Sequence, residues 1–132
     1  MDLEILNIAS DTNNNKNLKN HTHNSKLKNS ICGDEVKIKL IIKNNRIIDF
    51  GHQGKSCIYC QASLSLLSKV CINNKIDKIK ELCNKSKFMF EDNPECIDKD
   101  WLLLKKLFKK ENMARKECIL LPFKTLNKIV SK

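Results

Sequence analysis

Apolar and basic residues alternate along Val36-Lys37-Ile38-Lys39-Leu40-Ile41-Ile42, with Val36, Ile38, Leu40 and Ile42 on one side. A period of two predicts a half-buried strand. Asn44-Asn45 follows as a hairpin turn, because Asn tolerates positive φ, and Ile47 to His52 returns as the partner strand. Gly51 and Gly54 let the chain bend sharply toward Cys57. The period then lengthens. From Gln61 to Ile72, the residues Ala62, Leu66, Leu67, Val70 and Cys71 share a helical face, which makes Cys71 a small core residue. Asn73-Asn74-Lys75 breaks that helix, and Ile76, Ile79, Leu82 and Cys83 begin a second, shorter one. Ser86 to Asp100, with Pro94 and Cys96, reads as a loop, and Trp101, Leu104, Leu107 and Phe108 form a third apolar helical face. The last helix begins near Met113 and runs toward Val130, burying Leu121, Leu126 and Ile129. Pro122 leaves the carbonyl of Cys118 without its helical partner, which predicts a kink there.

At the other end, Leu3 to Ser10 forms a short amphipathic helix with Leu3, Leu6 and Ile5 or Ala9 on one side. Asp11 to Ser30 is rich in Asn and Lys and reads as a polar loop or mobile arm, with His21 and His23 solvated in it. Hairpin strands followed by a helical run give an α+β fold: a small antiparallel sheet of about three strands packed against helices. The expected organisation is a short N-terminal helix and polar arm over residues 1–30 and a single domain over 31–132.

Composition narrows the class. A chain of 132 residues, 41% hydrophobic and 30% charged, buries one core. No apolar run approaches the roughly 18–20 residues that span a bilayer. The opening Met1-Asp2-Leu3-Glu4 lacks the apolar stretch of a signal peptide, so no membrane association is expected and the cytoplasm is the default location. Seven cysteines in that setting point to reduced thiols or metal rather than a disulfide framework. The net charge of +10 invites a nucleic-acid reading. Against it, the lysines are spread from Lys16 to Lys132 and aromatics are only 5%, which leaves little for base stacking. Nucleic acid is therefore not expected, and docking against an acidic partner enzyme is a better use of the charge.

The candidate chemistry centres on Cys57. It sits where a strand-like run gives way to a helix-like one, and a helix N-terminus favours thiolate over thiol. Cys32, opening Cys32-Gly33-Asp34, and Cys118, in Arg115-Lys116-Glu117-Cys118, raise the count to three thiolates and a carboxylate, enough for a four-coordinate zinc or iron site. Taken singly, Cys32 and Asp34 read as turn residues and Cys118 as core. Cys57-Ile58-Tyr59-Cys60 also spells a C-x-x-C redox signal, but no parallel βαβ pattern surrounds it, so Cys60 reads as incidental.

Cys32-Gly33-Asp34, then Gly54 with Cys57 and Ala62-Ser63, then Arg115 with Cys118 and the Leu121-Pro122-Phe123-Lys124-Thr125-Leu126 tail together resemble the NifU/IscU family of iron–sulfur cluster assembly proteins. The separations, 25 positions from Cys32 to Cys57 (57 − 32) and 61 from Cys57 to Cys118 (118 − 57), are similar to its SufU type. Ser56 stands where the family usually has glycine, and Glu117 where the IscU type has a histidine ligand; the latter again favours the SufU type. The resemblance implies a SufU/IscU-like fold and a Cys32, Asp34, Cys57, Cys118 zinc site that accepts persulfide sulfur from a cysteine desulfurase. It implies Cys118 as the sulfur acceptor, Arg115 as the group that steadies thiolate charge, and a ligand exchange in which Asp34 yields. Two alternatives stay open: a scaffold on which a [2Fe-2S] or [4Fe-4S] cluster is assembled and passed to downstream acceptor proteins, and a zinc-stabilised binding module.

Overall fold

The structure, a computed structural model, describes residues 3–30, 33–91 and 99–131. The elements run in order α1 (Leu3–Ala9), β1 (His23–Lys28), β2 (Glu35–Lys43), β3 (Arg46–Gln53), α2 (Ile58–Cys71), α3 (Ile76–Ser86), 3-10 helices over Lys99–Lys106 and Lys110–Arg115, and α4 (Lys116–Val130). The strands form one antiparallel sheet in the order β1-β2-β3, and the fold is α+β as expected.

The alternating run makes the central strand: Val36, Ile38 and Leu40 are fully buried while Lys37 and Lys39 point away from the core. Lys43 pairs with Arg46 across a two-residue connection in which Asn44 and Asn45 have φ of 52° and 61°. Both values are positive, as a type I′ hairpin demands. Helices α2 and α4 pack on each other; α4 also meets β1 and β2, and α2 meets α1 and β3. Helix α2 is central and buried over most of its circumference, from Ala62 through Ser68 and again at Val70 and Cys71. Such a helix sits in the middle of the fold rather than on its surface. No helix among the described residues is long and apolar enough to cross a membrane.

Five expectations need correction. The segment read as a polar loop or arm supplies β1, which pairs with β2 from His23↔Leu40 to Lys28↔Glu35. The same segment lines β3: a Cβ on Gly51 would lie 2.8 Å from the Lys16 carbonyl oxygen, and Leu18 is buried beside it. In α1 the buried residue is Ile5, while Leu3 and Leu6 face outward. The first long helix begins at Ile58, ahead of the expected Gln61. Trp101, Leu104, Leu107 and Phe108 are buried as expected, but on 3-10 turns and the residues after them, not on an α-helix. The α-helical part of the last helix starts at Lys116 and keeps Pro122 inside it. Cys32, Pro94 and Cys96 lie outside the described residues.

Candidate metal centre

Three separate connections bring the site together. After β1 the chain turns back through Asn29: its N–H donates to the Asp34 carbonyl at 2.7 Å, and its own carbonyl accepts from Gly33 N–H at 2.8 Å. Gly33 has φ of 76°, a left-handed conformation that glycine adopts freely. The turn delivers Asp34 to the head of β2. Beyond β3, Gly54 takes φ of 139°, and a Cβ there would stand 2.1 Å from the Glu35 carbonyl oxygen. Only glycine permits that approach. The loop is locked by a 2.8 Å bond from Glu35 N–H to the Lys55 carbonyl, which sets Cys57 against Asp34. Cys57 becomes the N-cap of α2, and its backbone N–H donates to Asp34 Oδ1 at 3.2 Å.

Cys118 lies in the first turn of α4, held against α2 by a buried bond in which Ser63 Oγ donates to the Ile119 carbonyl at 2.7 Å. Ala62 and Ser63 are both fully buried, and their small side chains suit a close approach of the two helices. The Ala62-Ser63 pair thus has a physical role in placing Cys118. Two helix starts therefore face one point, and their positive dipole ends suit anionic ligands.

The ligating atoms of Asp34, Cys57 and Cys118 all lie within 4.8 Å of one another. Tetrahedral zinc with Zn–S bonds of about 2.3 Å holds its sulfurs roughly 3.8 Å apart, so contraction by about an ångström would close the set. Asp34 is 7% exposed, and its Oδ2 has no hydrogen-bond partner among the described residues. A buried carboxylate oxygen left bare is costly, and a cation supplies what it lacks. Two soft sulfurs with one hard oxygen fit zinc or ferrous iron. Cys32, two positions before Asp34, lies outside the described residues. Arg115, the N-cap of α4, is exposed, with its guanidinium carbon 5.5 Å from the ring centroid of Tyr59.

The other described cysteines are packing residues. Cys60 and Cys71 are fully buried and Cys83 nearly so, all within the apolar core. Burial, with the nearby Cys83 second, pushes the Cys71 thiol well above its ordinary range, and burial pushes Cys83 up to about 12. Such thiols are poor ligands and poor nucleophiles. His21 touches the Leu18 carbonyl and His23 is exposed at the start of β1. Sequence reasoning missed Tyr59 as a partner of Arg115, and His52. His52 is 6% exposed, its Nε2 has no partner among the described residues, and burial lowers its pKa to about 4. The alternation through β3 was the available signal for a buried His52, since it pairs with Ile38.

Comparison with known proteins bears on the family and the fold. The NifU-like N terminal domain family matches residues 3–99. An uncharacterized protein of Borreliella burgdorferi is 33% identical over 107 residues, covering 81% of this chain and 70% of the relative. The iron-sulfur cluster assembly scaffold protein IscU of Thermotoga maritima is 30% identical over 107 residues, covering 80% of this chain and 74% of its own length. Among solved structures, the NifU-like protein (N-terminal) of Brucella abortus superposes with a TM-score of 0.85 at 21% identity, covering 98% of this chain and 91% of that one. The putative SUF-system scaffold of Fervidobacterium islandicum gives 0.86 at 22%, covering 98% and 96%. The family match and the two sequence relatives together show that this chain belongs to the NifU/IscU family of iron–sulfur cluster assembly proteins.

Proposed function

We propose that the protein serves iron–sulfur cluster biogenesis, in the manner of the SufU type, by accepting persulfide sulfur from a cysteine desulfurase at a zinc site. The site is formed by Asp34, Cys57 and Cys118, with Cys32 as the fourth ligand. The observation that carries the proposal is the bare, buried Oδ2 of Asp34 beside two thiols at two helix starts. When bound, zinc supplies a fixed positive charge that keeps the thiols deprotonated.

The chain's own residues do the transfer. The Cys118 thiolate attacks the terminal sulfur of the desulfurase persulfide. The partner's S–S bond breaks, its cysteine leaves as thiolate, and Cys118 carries the new persulfide. Asp34, the one hard donor in the set, would hold a bound zinc less firmly than the thiolates and would be the donor that gives way most readily. Arg115, three residues before Cys118, stands at the same helix start to meet the anionic sulfur.

A second reading, a scaffold on which a cluster is built for downstream acceptor proteins, is favoured by the description of the Thermotoga maritima relative. Metal analysis of the purified protein separates the two. Stoichiometric zinc in a colourless protein supports sulfur acceptance; iron with acid-labile sulfide supports the scaffold. Single-turnover sulfur transfer from a cysteine desulfurase then tests the acceptor: Cys118→Ser is expected to abolish persulfide formation, and wild-type rates in that variant would show that another cysteine takes the sulfur.

A further inference from the structure

Cys57 opens α2 and Cys118 lies in the first turn of α4, and a side-chain contact joins those two helix starts from outside the cluster. Tyr59, the sole tyrosine of the chain, lies in the first turn of α2, two residues after Cys57. Arg115 caps α4, three residues before Cys118, and its guanidinium carbon lies 5.5 Å from the Tyr59 ring centroid. That is within the range of about 6 Å over which an aromatic face attracts a cation. Tyr59 is half-buried and Arg115 exposed. Among the described residues, the carboxylates in ion pairs are held by lysines, and Arg115 is in none of them. The ring therefore restrains the guanidinium without neutralising it. A carboxylate in the same place would hold the arginine as firmly and cancel its charge.

From this geometry we infer that Tyr59 is a positioning residue: its ring holds the Arg115 guanidinium between the starts of α2 and α4, the two helix starts that also carry Cys57 and Cys118, with its charge available to anionic sulfur arriving there. The inference deepens the sulfur-acceptor reading, because a persulfide and the thiolate it leaves are both anions. Without the ring, the long arginine side chain samples many rotamers and spends less time between the two helix starts. Phenylalanine keeps the aromatic face and so keeps the function, whereas leucine keeps the apolar bulk and loses it.

The test requires no desulfurase. The purified protein is treated with two aromatic disulfides that react by the same exchange, protein thiolate displacing an aryl thiolate. One is dianionic, dithiobis(nitrobenzoate), and one is neutral, dithiodipyridine. Labelling at Cys57 and Cys118 is followed by mass spectrometry of the peptides. The ratio of anionic to neutral rates reports the local positive charge, because the neutral reagent accounts for accessibility and unfolding. Tyr59→Phe is expected to match wild type. Tyr59→Leu is expected to lower the ratio about two- to fivefold, the size of an exposed cation–π contact. Arg115→Ala lowers it at least as far, and Tyr59→Leu adds nothing in the Arg115→Ala background. An unchanged ratio in Tyr59→Leu, an equal fall in Tyr59→Phe, or a further fall in the double variant would overturn the inference. Failure of the wild-type protein to accept sulfur from a desulfurase would overturn the function proposed above and leave this result standing.

Discussion

Asp34 does two jobs with one carboxylate. Its Oδ1 accepts the N–H of Cys57 and so fixes the start of α2, while its Oδ2 is buried without a partner among the described residues. Asp34→Ala removes the proposed hard ligand but leaves the thiols, so metal is expected to remain bound and to be stripped by a chelator on the order of tenfold faster, the change produced by about 1.4 kcal/mol of lost binding. Unchanged stripping kinetics would show that Asp34 does not ligate. His52 carries the pH dependence at this scale. Its folded pKa of about 4 lies below the ordinary value of 6.5 because burial disfavours the charged ring. The unfolded chain binds the proton first as pH falls, so the contribution is complete above 6.5 and is lost as pH falls toward 4, on the order of 3 kcal/mol in all. Denaturant midpoints measured between pH 7 and pH 4.5 are expected to fall with pH in wild type and to fall less steeply in His52→Gln.

At the scale of elements, the strands and turns explain what the sequence discloses and what it hides. β2 was legible because it is the middle strand, with one face on the core, and its alternation is clean. The Asn44-Asn45 turn was legible because few residues tolerate positive φ twice in succession. β1 was not. As an edge strand it buries only Ser25 and carries two lysines, a polar make-up common to sheet edges, so its pattern looks like that of a loop. The outward placement of Leu3 and Leu6 was hidden for a different reason: a seven-residue helix is too short for its periodicity to choose a face. The loop between β3 and α2 carries the element-scale prediction. Gly54→Ala puts a methyl group on the Glu35 carbonyl and forces a side chain into a conformation that only glycine adopts readily. It is expected to cost at least about 1–3 kcal/mol and to weaken metal retention as Cys57 is displaced from Asp34. Denaturation and metal content measured on one sample check both parts.

For the molecule as a whole, the candidate site was legible as a set of residues and not as a place. Residue type and the resemblance at those separations singled out Cys32, Asp34, Cys57 and Cys118, but the approach of the three described ones depends on a tight turn at Gly33, a backbone contact at Gly54 and a serine bond between α2 and α4. The last of these ties residues far apart in sequence and has no local signature. The Tyr59–Arg115 contact was hidden for the same reason. The architecture that results is economical: sheet and helices form the support, and the two helix starts and the head of β2 bring the candidate ligands together, Asp34 and Cys118 buried and Cys57 half-buried. X-ray absorption at the metal edge of the purified protein tests that account most directly. The prediction is one zinc per chain with three sulfurs at about 2.3 Å and one oxygen at about 2.0–2.2 Å, the oxygen contribution altered in Asp34→Ala and one sulfur missing in Cys118→Ser. A zinc shell of four sulfurs, or one unaffected by either substitution, would contradict it.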